Sequence, residues 1–136
     1  YYTAVQLRRA IMESMATITC NIEGECHSAA SLIYLCADNF SVSEGSNMLL
    51  HDYSGFVRGK GSDMVKQIQH EKVMIDSFIA GVYKGFLTDE EIKRVLSGED
   101  MWLDSEEIIR RTELLIGERE KEILAQQDEE ESQDSN

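Results

Sequence analysis

Ser28 is the first candidate for chemistry because a glycine and several small residues surround it. The segment 18–31, ITCNIEGECHSAAS, begins with alternating apolar and polar residues, which predicts a strand. Gly24 interrupts the alternation, and the chain then enters the apolar stretch from Leu32 to Ala37. A strand, a tight turn, a serine and a buried helix together present a nucleophilic hydroxyl. The same residues also fit a helix that begins at a serine cap, and the local pattern favours the cap.

A nucleophilic serine needs a base, and the chain contains only three histidines. His27 adjoins Ser28 at the predicted helix start, where consecutive side chains point apart. His70 lies among polar residues in a long predicted helix, which indicates a solvated surface position. His51 ends a short predicted strand, 48–50, and the carboxyl ends of parallel strands commonly carry reactive groups. His51 is therefore the candidate base, with a buried structural histidine as the equal alternative.

The residue that would orient this base is harder to identify because 26 acidic residues compete for the role. Asp52 is adjacent to His51, so its side chain would point to the other face of the strand. Asp100 lies between two predicted helices, and the apolar residues 101–103 after it could shield it from water. Asp100 is the candidate acid, although a loop aspartate is more often a turn or cap residue.

The elements that must position these residues alternate between strands and helices, which predicts an α/β domain with a largely parallel sheet. Predicted strands cover approximately 17–22, 40–42 and 48–50, and predicted helices cover 3–16, 28–39, 62–84, 88–96 and 104–115. Apolar residues lie on more than one face of the long helix 62–84. Capping boxes mark the last two helix starts, Thr88 with Glu91 and Asp104 with Glu107.

The chain divides into a folded domain, residues 1–116, and a polar end, residues 117–136. The polar end comprises a charged helix and the acidic segment DEEESQDSN, which is too polar to fold alone and is predicted to be disordered. The sequence starts at Tyr1, almost directly within a helical pattern. We therefore expect an incomplete protein whose earlier portion is absent.

The composition excludes several classes of function. The chain has 136 residues, 42% of them hydrophobic, which suits one modest domain with its own core. A net charge of −13 argues against nucleic acid or an anionic membrane as a partner, and no apolar run approaches the roughly 20 residues of a membrane span. The three unevenly spaced cysteines indicate reduced, mostly buried thiols in a cytoplasmic protein. Cys26, His27 and Cys36 lack paired ligand spacing, so no metal site is expected.

Four segments together resemble the family of Clp protease proteolytic subunits. GECHSAASLIYLCA is similar to the family's serine motif, and MLLHDYSG is similar to its histidine motif. RGKGSDMVKQIQHEKVMID resembles the handle region, an extended arm that leads into a long helix. GFLTDEEIKRVLSGEDMWLDSEEI is similar to the closing segment with its aspartate. Each motif alone is weak, but the four occur in order and with similar separations over residues 1–109.

The resemblance implies a ClpP/crotonase-like α/β fold, incomplete at the N-terminus, with a long handle helix. It also implies serine-type peptide hydrolysis, with Ser28 as the nucleophile, His51 as the general base and Asp100 as the residue that orients the base. The backbone N–H of Ala29 would supply one donor of the oxyanion hole. The order Ser, His, Asp differs from that of α/β-hydrolases and disfavours their fold. On this basis the elbow is favoured over the helix cap at Ser28.

The partners implied by the resemblance are copies of the same chain and an ATPase. Family members form two stacked heptameric rings, in which the arm 56–61 and the helix after it would interlock between rings. They receive unfolded polypeptides from a ring-shaped ATPase of the AAA+ class. This chain contains no phosphate-binding loop, so no cofactor is expected in it and ATP would be used by the partner unfoldase.

The sequence departs from the family pattern in three respects, and two alternative functions also stay open. The family's other oxyanion donor and its early strands would precede Tyr1, and residues 108–123 are predicted to be continuous helix where the family has a turn and a last strand. Such an altered C-terminus would fit a shortened or phage-type member. One alternative is a non-catalytic subunit that keeps the fold for assembly. The other is a crotonase-like acyl-CoA enzyme, which needs neither Ser28 nor His51.

Overall fold

Short strands alternate with helices in a computed structural model that describes the backbone of residues 1–134 and the side chains of residues 1–129. In chain order the elements are α1 (Tyr2–Met12), β1 (Thr19–Ile22), β2 (Glu25–His27), α2 (Ala29–Tyr34), β3 (Asn39–Val42), β4 (Asn47–Leu50), α3 (Gly61–Tyr83), α4 (Asp89–Leu96), β5 (Met101–Asp104) and α5 (Ser105–Asp134). This order confirms the mixed α/β class. No helix in this part of the chain is long and apolar enough to span a membrane.

The strands form two small sheets. β1 pairs with β3 in parallel, and β2 pairs with β4 in parallel. β5 adds to the other edge of β4 in antiparallel orientation, so the expectation of a largely parallel sheet holds for the first four strands only. The sequence pattern missed β2 and β5 because three and four residues are too few to establish a period of two.

The core lies where the helices cover the inner faces of these sheets. α2 packs on β2 and β4, and α5 packs on β3, β4 and β5. Alternate residues of β4 and β5 point into this core, as a pleated strand requires. The most deeply buried large side chains are Leu35, Met48, Leu50, Tyr83, Val95 and Ile108, and the small Ser31 is buried with them. Because Met48 and Leu50 are fully buried, β4 is the strand around which the other elements assemble.

The two halves of α3 have different environments. Ile75, Ile79 and Val82 are buried in its C-terminal half. Its N-terminal half and the irregular arm before it expose apolar side chains, among them Val65 at 54% and Phe56 at 87%, and Val73 at the middle of the helix is 73% exposed. The prediction of more than one apolar face is therefore confirmed, and one of those faces has no cover within the described chain.

α5 is one continuous helix from Ser105 to Asp134, so the predicted division between residues 116 and 117 falls inside it. The segment 128–134 is helical where the sequence predicts disorder, because Glu, Gln and Asp follow one another there without glycine or proline. Residues 135 and 136 lie outside the described part of the chain. The division into a domain and a tail stays a prediction.

Glu91 joins α4 to α5. The predicted capping box at the start of α4 is confirmed, since Thr88 and Glu91 exchange both hydrogen bonds. The Glu91 carboxylate also accepts two hydrogen bonds from the half-buried Arg111 guanidinium on α5, at 2.7 and 2.8 Å. These bonds from Arg111 are the largest influence on the Glu91 carboxyl and lower its pKa to about 2. The ionised form is thus strongly favoured in the folded chain.

This lowered pKa predicts a loss of stability in acid. Stability from ionised Glu91 is fully present above the ordinary pKa of 4.5 and is lost as the pH falls towards about 2. We expect the free energy of unfolding, measured with urea at several pH values, to decrease across that window, and Glu91→Gln to make the decrease smaller. Glu90→Gln, at an exposed position of the same helix, should show the same decrease in the free energy of unfolding as the wild type. Equal pH dependence in Glu91→Gln and the wild type would contradict the prediction.

Candidate active site

Ser28 occupies a strained turn between β2 and α2. Its φ is 56° and its ψ is −122°, and it is the only non-glycine residue with positive φ in the described chain. Ser28 stands at the N-cap position of α2, but its side chain makes no capping hydrogen bond. The cap interpretation of this serine is therefore wrong, because the hydroxyl does not serve the helix. A strained serine between a strand and a helix is the conformation of a nucleophile elbow.

Three hydrogen bonds hold this strained backbone in place. The Ser28 N–H donates to the Leu49 carbonyl on β4 at 2.8 Å. The Ser28 carbonyl accepts from the Ser31 N–H at 3.0 Å and from the Ser31 hydroxyl at 2.7 Å. A conformation of this kind costs about 1–3 kcal/mol and persists only where the surroundings over-determine it. The bond to Leu49 also fixes the elbow two residues from His51.

His51 and Ser28 line the same small cavity, of about 90 Å³. Ala29 lines it as well, as the first residue of α2, whose N–H has no partner within the helix. The remaining walls are Tyr1, Leu32, Tyr53, Ser54, Ile79 and Tyr83. His51 follows directly after β4, as predicted, and is half-buried. The structure thus brings the predicted nucleophile, base and oxyanion donor to one cavity, although no hydrogen bond joins Ser28 to His51 in the described chain.

Asp100 lies outside that cavity and is exposed. The expected shielding by residues 101–103 is wrong, because alternation along β5 turns Leu103 inward and leaves Trp102 61% exposed. The strand register nevertheless relates Asp100 to His51. Leu50 pairs with Met101 in the antiparallel ladder, so one further step along both strands reaches His51 and Asp100. Residues that lie opposite one another in this way are on the same face of a sheet, and here they lie just beyond the end of the ladder.

Lys72 is a residue near the site that sequence reasoning missed. Its Nζ lies 3.1 Å from the Asp52 carboxylate, 3.0 Å from Asp76 and 3.1 Å from the Leu96 carbonyl. Lys72 therefore ties the loop after His51 to α3 and α4. Its spacing of four residues to Asp76 is the only local signal for this network, because Asp52 is 20 residues away. The Asp52 carboxylate thus forms an ion pair with Lys72 and is not free to bind His51.

The other candidate histidines and the cysteines lie apart from the cavity. His27 bonds to Asn47 at 2.5 Å and packs edge-on against Trp102, and His70 is exposed on α3, as predicted. The three cysteines are free thiols, and only Cys26 is fully buried. Burial raises the pKa of the Cys26 thiol to about 11, so it is unreactive at neutral pH.

Comparisons with known proteins show the fold. No protein-family model and no curated protein sequence matches the chain. Among solved structures, it is similar to the crystal structure of a peptidase from Plasmodium falciparum, with a TM-score of 0.60 and 14% sequence identity. The match covers 81% of this chain and 62% of the peptidase, so the chain spans less than two thirds of that protein's length. The mixed α/β fold is therefore one found in a peptidase structure.

The strain at Ser28 predicts an unusual order of stabilities. Glycine accepts positive φ, whereas alanine does not, so Ser28→Gly removes strain that Ser28→Ala keeps. After the entropy of glycine in the unfolded chain is subtracted, we expect Ser28→Gly to be more stable than Ser28→Ala by about 1 kcal/mol. Urea denaturation measures the difference.

The same pair of substitutions at Ser77, exposed in the middle of α3, provides the control. There the glycine variant should be less stable than the alanine variant, by about 1 kcal/mol, because the backbone is helical. The same order at both positions would show that Ser28 carries no strain.

Proposed function

We propose that this chain is the proteolytic subunit of a Clp-like, ATP-dependent serine protease and hydrolyses peptide bonds with Ser28, His51 and Asp100. The observation that carries the proposal is the left-handed conformation of Ser28 on a cavity that His51 also lines. Structural proteins have no need for a strained serine whose hydroxyl caps nothing, whereas a nucleophile does. The four motifs in the sequence and the fold of a peptidase support the same conclusion.

In the proposed reaction, His51 takes the proton from the Ser28 hydroxyl as its oxygen attacks the carbonyl carbon of the scissile peptide. The negative charge that develops on the carbonyl oxygen is stabilised by the N–H of Ala29. His51 then gives the proton to the leaving amine, and an acyl-enzyme forms on Ser28. Water, deprotonated by His51, hydrolyses that ester and restores the serine.

The proposed role of Asp100 is to orient His51 and to stabilise the imidazolium that forms during the reaction. The register of β4 and β5 supports this role, because His51 and Asp100 each lie one residue beyond Leu50 and Met101, the last pair of the ladder. Asp100 is exposed, so its side chain has to turn towards the imidazole in the active state. Asp52 is the less suitable acid because Lys72 already binds its carboxylate.

The proposed assembly is two stacked heptameric rings that enclose the active sites. The apolar face on the N-terminal half of α3 supports it, since exposed apolar patches of this kind mark protein interfaces. The arm around Phe56 and this half of α3 would interlock between the rings. A AAA+ unfoldase would consume ATP and deliver unfolded polypeptides to the chamber.

A second candidate function is a non-catalytic subunit that keeps the same fold for assembly. The exposed position of Asp100, outside the cavity that Ser28 and His51 line, favours it. A fluorophosphonate probe separates the two candidates, because it labels only a serine that a base has activated.

The catalytic proposal predicts that Ser28→Ala and His51→Asn lower kcat for a fluorogenic peptide by about 10⁴-fold or more in the full-length protein. Labelling of the wild type by the fluorophosphonate should disappear in Ser28→Ala. Ser97→Ala, at the exposed end of α4, should keep both activities. Undiminished turnover by Ser28→Ala would end the proposal, and an assembled wild type that is never labelled would favour the non-catalytic subunit.

The assembly proposal predicts that Val73→Glu dissociates the oligomer, because it introduces a charge into the exposed apolar face of α3. Sedimentation velocity of the full-length protein measures the change in mass. Gln126→Glu adds the same charge at an exposed position of α5 and should leave the mass unchanged. A monomeric wild type would contradict the proposed rings.

A further inference from the structure

A chain of buried hydroxyl groups leads from the core to the elbow. Ser31 on α2 and Tyr83 at the end of α3 are 0% and 1% exposed, and their oxygens lie 2.9 Å apart. The Ser31 hydroxyl donates its single proton to the Ser28 carbonyl at 2.7 Å. The Tyr83 hydroxyl must therefore be the donor to Ser31. Burial raises the pKa of Tyr83 to about 12, so the phenol retains this proton at neutral pH.

The Ser28 carbonyl and the Ala29 N–H belong to one planar peptide group and point in opposite directions. Two hydrogen bonds from Ser31 fix the carbonyl, at 3.0 Å from its N–H and 2.7 Å from its hydroxyl. Whatever fixes the carbonyl therefore also fixes the direction of the N–H. Hydrogen bonds in a chain polarise one another, so each bond to the carbonyl makes the N–H a stronger donor.

We propose that Tyr83 and Ser31 form a hydroxyl relay that orients and polarises the Ala29 N–H for the oxyanion of the transition state. The inference rests on the proposed function and adds two positioning residues to it. Tyr83 acts through Ser31, and Ser31 acts through the Ser28–Ala29 peptide. The relay also couples the C-terminal end of α3 to the elbow, although the two are more than 50 residues apart in the chain.

A second tyrosine in the core makes the same kind of hydrogen-bonded chain, but that chain does not lead to Ser28. The hydroxyl of Tyr34 lies 2.9 Å from that of Thr112, and both residues are buried. Thr112 donates to the Ile108 carbonyl, so Tyr34 donates to Thr112, with the same connectivity of tyrosine, hydroxyl and backbone carbonyl. Tyr34→Phe therefore makes the same chemical change as Tyr83→Phe at a comparable cost in stability, without contact to Ser28.

The relay is tested by steady-state kinetics of the full-length protein on a fluorogenic peptide. We expect Tyr83→Phe to lower kcat about tenfold with KM unchanged, because the lost polarisation matters only when the oxyanion forms. Ser31→Ala should lower kcat further, and the double variant should be no slower than Ser31→Ala alone, since both remove one chain of bonds. Tyr34→Phe should keep the wild-type kcat.

A crystal structure of Ser31→Ala provides a readout that does not depend on turnover. The relay predicts that the Ser28–Ala29 peptide rotates, so that ψ of Ser28 departs from −122°. Wild-type kcat in Tyr83→Phe and an unrotated peptide in Ser31→Ala, alongside an inactive Ser28→Ala, would overturn the relay and leave the proposed function intact. A wild type without turnover, or full turnover by Ser28→Ala, would overturn the proposed function and the relay's catalytic role with it.

Discussion

The hydrogen bond from the Ser28 N–H to the Leu49 carbonyl is the interaction on which the candidate site depends. It is 2.8 Å long and joins the turn that carries the serine to the strand that carries the histidine. Met48 and Leu50 anchor β4 in the close-packed core. The turn at Ser28 is therefore bonded to a strand that cannot easily move. Such a conformation persists only where its surroundings hold it, and this bond is the one by which β4 holds the Ser28 backbone, beside the two bonds from Ser31.

Local sequence patterns were enough to predict some features of the fold and of the candidate site. The helix at Thr88 was predictable because a capping box lies within four residues and needs no tertiary partner. The position of Ser28 was predictable in the same way, from a glycine, small residues and an apolar run. Its backbone conformation was not, since the Leu49 carbonyl that holds it lies 21 positions further along the chain.

Other features could not be predicted from the sequence, because they depend on residues far apart in the chain or lie in segments too short to show a pattern. β5 has only four residues, and its large apolar Trp102 is exposed, so the burial of its side chains does not follow from their hydrophobicity. The same misassignment produced the wrong expectation that Asp100 is shielded. Tyr83 resembles any core aromatic in a long helix, and only the fold reveals that its hydroxyl meets Ser31. The ion pair of Lys72 with Asp52 likewise joins two segments that no local pattern connects.

The short link between α4 and β5 determines how fast the Asp100 side chain could reach His51. One end is held by the backbone hydrogen bond from the Glu99 N–H to the Arg94 carbonyl, 3.1 Å long, and the other enters the ladder at Met101. Asp100 therefore sits on a backbone that is fixed on both sides and has only its own side-chain torsions left to change. Rotation of an exposed side chain takes picoseconds to nanoseconds, whereas loop rearrangement takes up to microseconds. Completion of the proposed triad would thus be far faster than peptide cleavage and would not limit the rate.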